Sequence, residues 1–360
     1  MKLRLFSIPA LYCLFLIIAV YVACRIPRCE KNPDCQGHID YIRYVFTNAG
    51  IPAINAGWEM YHPPLYYALV ALLAGIVHPI GISLVTAARY FSLLCAGAFA
   101  LYGLLFLQRA IRNARVQYLC AAVFLSWPLW LGLFARISNE VLLYPLWVCC
   151  YYHLLGWHQR QQSRDLVIAI VLCALMMLVK VSALVPLATV GAVMCYHLIT
   201  RRRSVADYCR PGILVAAALV AVAVSGDLAR TIYYNMHHAQ SANVIIGNLG
   251  MDPLLPSIRT SNNLFKFITF DVDTLLHQPY WSIFEDKTGR QLFWNSYLKS
   301  ALFGHFTWPA PWLAGWLNIN LVLLVLYAVA GPCCPPAALT AVSPKSASRS
   351  LFSPSSATAY

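Results

Sequence analysis

Long apolar runs separated by short polar segments are the main pattern along this chain. The longest runs reach the roughly 20 residues that a helix needs to cross a bilayer, and several others are a few residues shorter. The runs occupy residues 5–24, 63–80, 84–107, 117–134, 141–157, 166–179, 182–199, 211–226 and 313–330. The pattern predicts an all-α fold, a polytopic bundle of transmembrane helices.

Composition supports a membrane protein and narrows the class of partner. Hydrophobic residues make up 60% of the 360 residues and charged residues only 11%, which lies outside the range of soluble domains. The net charge is +13, with 26 Lys and Arg against 13 Asp and Glu. The basic residues form short clusters between apolar runs, so we predict cytoplasmic loops beside membrane lipids and no nucleic-acid partner.

The basic clusters also determine how many runs can span. They lie at Lys2/Arg4, Arg109/Arg112/Arg115, Arg160/Arg164 and Arg201/Arg202/Arg203. If every run crossed the bilayer, the second cluster would fall on the side opposite the N-terminus. Treating 63–80, which follows His62 and begins with two prolines, as a surface-lying helix removes this conflict. The prediction becomes about eight spans, with juxtamembrane helices in the first exterior loop and both termini cytoplasmic.

This topology gives the domain organisation. We predict one membrane domain over residues 1–330, with a first exterior loop at 25–83 and a second large exterior loop at 227–311. Residues 331–360 are a Ser-, Ala- and Pro-rich tail that we expect to be disordered. The first apolar run is long for a signal peptide, so an uncleaved anchor is favoured over a cleaved signal.

Three of the 13 cysteines cluster around the end of the first apolar run. They are Cys24, the last residue of the run, and Cys29 and Cys35 after it, and an oxidising compartment can pair two of them. The alternative is that all three remain thiols.

The first exterior loop carries candidate chemistry. Asp34 follows a proline at a predicted helix start, and His38 is four residues later on the same helical face. A carboxylate beside an imidazole can perform acid–base chemistry at the membrane surface. The structural alternative for Asp34 is a helix N-cap.

An ordered set of motifs in this loop resembles a known superfamily. The chain reads Asp-x-x-Gly-His-x-x-Tyr-Ile from Asp34, then Ile51-Pro52, then His-Pro-Pro-Leu-Tyr-Tyr from His62. This order is similar to the first exterior loop of GT-C glycosyltransferases, polytopic enzymes that use polyprenyl- or dolichyl-phosphate sugars. They include the protein O-mannosyltransferases and the aminoarabinose transferases. Cys35 stands where relatives usually carry Glu.

Later segments agree in order with the same superfamily. Arg89 lies where span two begins, the stretch from Arg136 to Glu140 follows span three, and Lys180 lies in a turn between two spans. The resemblance covers about residues 1–200.

The resemblance implies a glycosyltransferase, with a lipid-linked sugar as donor and a glycan, lipid or protein as acceptor. It implies an inverting reaction in which Asp34 is the base, with His38 as a second catalytic candidate. Candidates for binding the lipid phosphate, which is anionic, are Lys180, Arg89 and Arg136. Candidates for acceptor binding or for ligating a divalent metal ion are Asp40, Glu59, His62, Asn139 and Glu140.

Structural explanations exist for several of these residues. Asn139 and Glu140 can simply cap a helix, and Lys180 can extend to the membrane interface without binding phosphate.

Two other functions stay open at this point. A transporter or flippase fits the span number, although ionisable residues within the runs are scarce. An inactive, truncated relative that acts as a scaffold is the other alternative, because relatives continue through further spans whereas the apolar pattern ends near Gly331. The membrane is either a bacterial inner membrane or the endoplasmic reticulum.

Overall fold

The computed structural model describes residues 8–25 and 34–237, and, later in the chain, residues 264–269, 271–273, 292, 294 and 295. Within these residues the chain is helical and has no strand, which confirms the all-α prediction. The predicted span at 313–330 and the predicted tail at 331–360 lie outside the described residues, as does most of the predicted loop 227–311.

The described helices follow the apolar runs closely. Their bounds are α1 Ile8–Arg25, α2 Cys35–Asn48, α3 Leu65–Val77, α4 Leu84–Ala110, α5 Ala114–Ser126, α6 Pro128–Phe134, α7 Glu140–Arg160, α8 Ser163–Met177, α9 Leu184–Ile199, α10 Val205–Tyr208, α11 Pro211–His237 and α12 Leu264–Ile268. Short 3-10 turns, His78–Ile80 and Val181–Ala183, follow α3 and precede α9.

Four stretches of the described chain are long and apolar enough to cross a membrane. They are Ile8–Arg25, Leu84–Ala110, Val181–Ile199 and Pro211–Tyr234. This confirms a membrane helix bundle, while the number of eight spans stays a prediction. The predicted spans at 117–134, 141–157 and 166–179 do not form helices that are both long and apolar enough to be among these four.

The run at 117–134 is interrupted. Trp127 adopts an extended conformation, and Pro128 begins a new helix. A proline disfavours the α conformation of the residue before it, so the run forms two helices of 13 and 7 residues. This break explains why the run lacks one helix of spanning length.

Helices α7 and α8 form the interior of the bundle. Cys150 of α7 and Cys173 of α8 are fully buried, with their Sγ atoms 3.8 Å apart. Trp157 and Leu166 extend the same buried surface toward the connection between the two helices.

Two segments differ in length from ordinary spans. Helix α3 has 13 residues, about 20 Å at the usual helical rise, against a hydrocarbon core of about 30 Å. That length favours the surface-lying helix predicted for 63–80. Helix α11 continues to His237, so residues 227–237, at the start of the predicted second exterior loop, are helical.

The three predicted basic clusters within the described residues converge at one end of the bundle, while Lys2 and Arg4 lie outside these residues. The Gln159 side chain donates to the Arg109 carbonyl (3.4 Å), and Arg203 Nε donates to Gln161 Oε1 (2.9 Å). The other end is tied together by Ser92 Oγ, which donates to the Arg136 carbonyl (2.8 Å). The candidate catalytic residues lie at this second end.

Replacing Gly103 by alanine is expected to destabilise the bundle. A β-carbon on Gly103 of α4 would collide with the ring of Phe124, which stacks on Phe99 with centroids 4.9 Å apart. Overpacking of this kind costs about 1–3 kcal/mol. We expect a lower thermal midpoint for Gly103→Ala in detergent.

The control is Gly191→Ala on α9, where no described atom lies within 4 Å of the added carbon. Alanine also favours a helix over glycine by about 1 kcal/mol. Equal thermal shifts in the two variants would contradict the predicted close contact of α4 and α5.

Candidate active site

Asp34 lies at the N-cap position of α2, but its carboxylate does not cap the helix. The side chain makes no cap hydrogen bond, and Asp34 Oδ1 instead accepts from Trp58 Nε1 at 2.9 Å. Gly37 permits this arrangement, because a β-carbon there would stand 2.7 Å from Glu59 Cγ and 3.0 Å from Trp58 Cδ1. The carboxylate is therefore oriented by Trp58.

His38, Glu59 and His62 form a buried polar chain behind Asp34. They are 3%, 4% and 7% exposed, respectively. His62 Nε2 lies 2.8 Å and His38 Nε2 lies 3.9 Å from Glu59 Oε2. The other ring nitrogen of His38, Nδ1, lies 2.9 Å from the Tyr67 hydroxyl. Two imidazoles and a phenol thus surround one buried carboxyl group.

Burial determines the protonation states of His38, Glu59 and His62. It lowers the pKa of both His38 and His62 to about 3, with nearby Lys180 adding to the effect. It raises the pKa of Glu59 to about 8, helped by the negative charge of Asp34. Neutral imidazoles beside a protonated Glu59 are therefore favoured at neutral pH.

The raised pKa of Glu59 predicts a specific pH dependence of stability. The folded state binds the Glu59 proton more tightly than the unfolded state, so its contribution is lost as pH rises through about 8. Near pH 6.5 the two histidines are neutral in the folded state and still partly protonated in the unfolded state, but this slope is common to the native chain and to Glu59→Gln. We expect the thermal midpoint of the native chain in detergent, measured relative to that of Glu59→Gln, to fall between pH 6.5 and 8. Parallel curves would show that Glu59 titrates normally.

Glu140 and Lys180 form a second polar group next to the first. Lys180 Nζ donates to Glu140 Oε1 at 2.6 Å, joining the start of α7 to the turn after α8. Both charges influence the pKa of His38 and of Glu59, so the two groups lie close together. An anionic ligand that enters here meets a lysine already held in place by a carboxylate.

Asn139 and Arg136 complete this group. Asn139 is buried, and its Nδ2 donates to the Val179 carbonyl (3.3 Å), while its Oδ1 has no partner within the described residues. Asn139 does not cap α7 with its side chain. Burial lowers the pKa of Arg136 to about 10, against the opposing charges of Glu140 and Asp34. Arg136 therefore lies near both carboxylates.

Most of the sequence-predicted residues come together at this end of the bundle. They are Asp34, His38, Glu59, His62, Arg136, Asn139, Glu140 and Lys180. Asp40 instead pairs with Arg43 on the solvent side of α2 (2.9 Å). Arg89 is partly exposed near the start of α4, the helix that contributes Ser92. Within the described residues, no cluster of three or more His, Cys, Asp or Glu is arranged to hold a metal ion.

Two contributors were not predicted as site residues. Trp58 lies inside the motif that suggested the site, but nothing in its spacing indicates a bond to Asp34. Arg230 of α11 donates to backbone carbonyls of the first loop, almost 170 residues away, and no local sequence pattern predicts this contact.

Cys35, beside Asp34, is disulfide-bonded, whereas Cys24 is a free thiol. Cys29 lies outside the described residues.

Comparison with known proteins finds a family model that matches part of the chain. The sequence model of the dolichyl-phosphate-mannose-protein mannosyltransferase family matches residues 61–228, slightly less than half of the chain. The match includes His62, Arg136 and Lys180, while Asp34 and Glu59 precede it. No curated protein matches the chain. The predicted resemblance is thereby confirmed: residues 61–228 carry the sequence pattern of GT-C-type dolichyl-phosphate-mannose-protein mannosyltransferases, membrane glycosyltransferases that use a lipid-linked sugar donor.

Proposed function

We propose that this protein transfers a sugar from a polyprenyl- or dolichyl-phosphate carrier to an acceptor hydroxyl, with inversion at the anomeric carbon. Asp34 is the general base. The acceptor is a glycan, a lipid or a protein, and the reaction takes place on the exterior or lumenal face. The catalytic domain of this proposal covers residues 1–330.

The observation that carries the proposal is the placement of Asp34 beside two cationic residues at one end of a membrane helix bundle. Trp58 orients the Asp34 carboxylate. The negative charge of Asp34 stabilises the positive charge of Arg136 and so raises its pKa, against the effect of burial. Lys180 lies in the same region through its bond to Glu140 and its effect on Glu59. A base and phosphate-binding cations are the two requirements of this reaction.

Each group has a chemical task. The Asp34 carboxylate takes the proton of the acceptor hydroxyl as the oxygen attacks the anomeric carbon. The bond from that carbon to the carrier phosphate breaks, and the phosphate departs with added negative charge. Lys180 and Arg136 stabilise this charge. Asn139 Oδ1, buried without a partner in the described region, is an acceptor available to a substrate hydroxyl.

The disulfide at Cys35 supports the exterior face. Disulfides form in secretory or extracytoplasmic compartments and are rare in the cytosol. Cys35 directly follows Asp34, so its disulfide supports an oxidising compartment on the side of the candidate base. The basic clusters at the opposite end of the bundle agree with a cytoplasmic location for that end.

The proposal is tested by sugar transfer in membranes that contain the expressed chain. Radiolabelled mannosyl-phosphodolichol and a bacterial polyprenyl-phosphate pentose are supplied in turn, and label is followed into protein, glycan and lipid fractions. Transfer from either donor supports the proposal and identifies the acceptor class. Absence of transfer from both donors, with substrate crossing in sealed vesicles, would establish a transporter instead.

A further inference from the structure

Arg230 binds a part of the chain that is far away in sequence. This residue lies on α11, and its guanidinium donates to four backbone carbonyls of the segment between α2 and α3. Nη1 reaches the carbonyls of Tyr61 (3.5 Å) and His62 (3.1 Å), and Nη2 reaches those of Pro52 (2.9 Å) and Met60 (2.5 Å). The Tyr41 hydroxyl adds a further bond to the His62 carbonyl (3.3 Å).

The segment needs such a partner. Residues 51–64 form turns rather than a regular helix, with local bonds such as His62 N to Glu59 O (3.2 Å). Pro52, Met60 and His62, whose carbonyls Arg230 binds, are buried residues, and buried carbonyls without partners are costly. Arginine suits this task because its planar fork carries five N–H donors in fixed directions, whereas lysine has a single nitrogen.

The anchored segment carries two buried site residues, Glu59 and His62, together with Trp58, which orients Asp34. Glu59 and Trp58 come just before the bound carbonyl of Met60, and His62 is itself bound. The contacts to Asp34 and to His38 therefore originate from a stretch that Arg230 fixes at both ends, at Pro52 and at residues 60–62.

We propose that Arg230 is a positioning residue: it fixes residues 52–62 on α11 and thereby sets the places of Trp58, Glu59 and His62 in the site. The structural part of this inference stands alone, and its kinetic part rests on the proposed function. Arg230 acts on the reaction through these residues without touching substrate.

Carboxyl footprinting tests the structural part on the full-length chain in detergent. Carbodiimide and glycine ethyl ester modify accessible carboxyl groups, and mass spectrometry reports each peptide. In Arg230→Gln we expect several-fold faster modification of Glu59, which is buried in the native chain. Arg230→Lys should give an intermediate rate.

Two internal controls distinguish positioning from general loosening. Asp40 is exposed and reports delivery of the reagent, while Asp165 is buried at the opposite end of the bundle and reports global opening. A rise at Glu59 alone supports the proposal. An unchanged Glu59, or an equal rise at Asp165, overturns it. Ile232→Ala, at a half-exposed position on the same helix, should change neither.

The kinetic part uses the transfer assay. If the native chain transfers sugar, Arg230→Gln should lower kcat about 10- to 100-fold with a much smaller change in the donor KM, since misplacement by about 1 Å costs this much. Arg230→Lys should recover part of the rate. Equal kcat in Arg230→Gln and the native chain would overturn this part. A native chain without transfer would refute the proposed function and leave the footprinting result decisive for Arg230.

Discussion

Asp34→Asn is expected to lower sugar transfer by about 10²- to 10⁴-fold, the usual contribution of a general base. The substitution keeps the shape of the side chain, and the amide oxygen can still accept the hydrogen bond from Trp58. Only the negative charge and the ability to take a proton are removed. The measurement is the initial rate of transfer from a labelled lipid-phosphate sugar, at equal amounts of protein in the membrane.

Asp40→Asn is the matched control for this result. Asp40 belongs to the same helix but pairs with Arg43 at the solvent-exposed side, so its replacement should leave transfer unchanged. Equal transfer by Asp34→Asn and the native chain would remove Asp34 as the base. Glu59 would then be the next carboxyl group to test, because it lies next to Asp34 in the site.

The sequence predicted the lipid-facing helices well. It predicted the ends of helices less well where their residues have partners far away in the chain. The runs of α1, α4 and α9 stand out because lipid-facing helices must be apolar along their whole length. Helix α11 continues through Asp227 and Arg230 to His237, beyond the end of its apolar run at residue 226. Arg230 is tolerated in the helix because four backbone carbonyls satisfy its donors, a partnership that no local pattern reveals.

The sequence predicted which candidate residues lie near one another better than it predicted the partners that their side chains contact. The spacing of Asp34 and His38 placed both at the start of one helix, as found. Their side chains nevertheless meet different partners: Asp34 meets Trp58, and His38 turns inward to Tyr67 and Glu59. Helical spacing fixes the face of the helix, whereas the partner depends on segments that pack from elsewhere. The ion pair of Glu140 and Lys180, 40 residues apart, is the same kind of contact.

Lys180→Met is expected to lower transfer by about 10²- to 10³-fold, because the departing phosphate loses a preorganised positive charge. The substitution also leaves Glu140 without its partner, so it should lower the thermal midpoint in detergent. These two effects have different origins, and a second substitution separates them.

In the double variant Lys180→Met/Glu140→Gln, the unpaired carboxylate is gone, so the thermal midpoint should recover toward that of the native chain. Transfer should not recover, because the phosphate still lacks its cation. Glu140→Gln alone keeps Lys180 and should retain most of the activity. Recovery of transfer in the double variant would mean that Lys180 serves only to neutralise Glu140. The separation of stability from activity therefore decides whether this lysine holds the fold together or binds the phosphate of the donor.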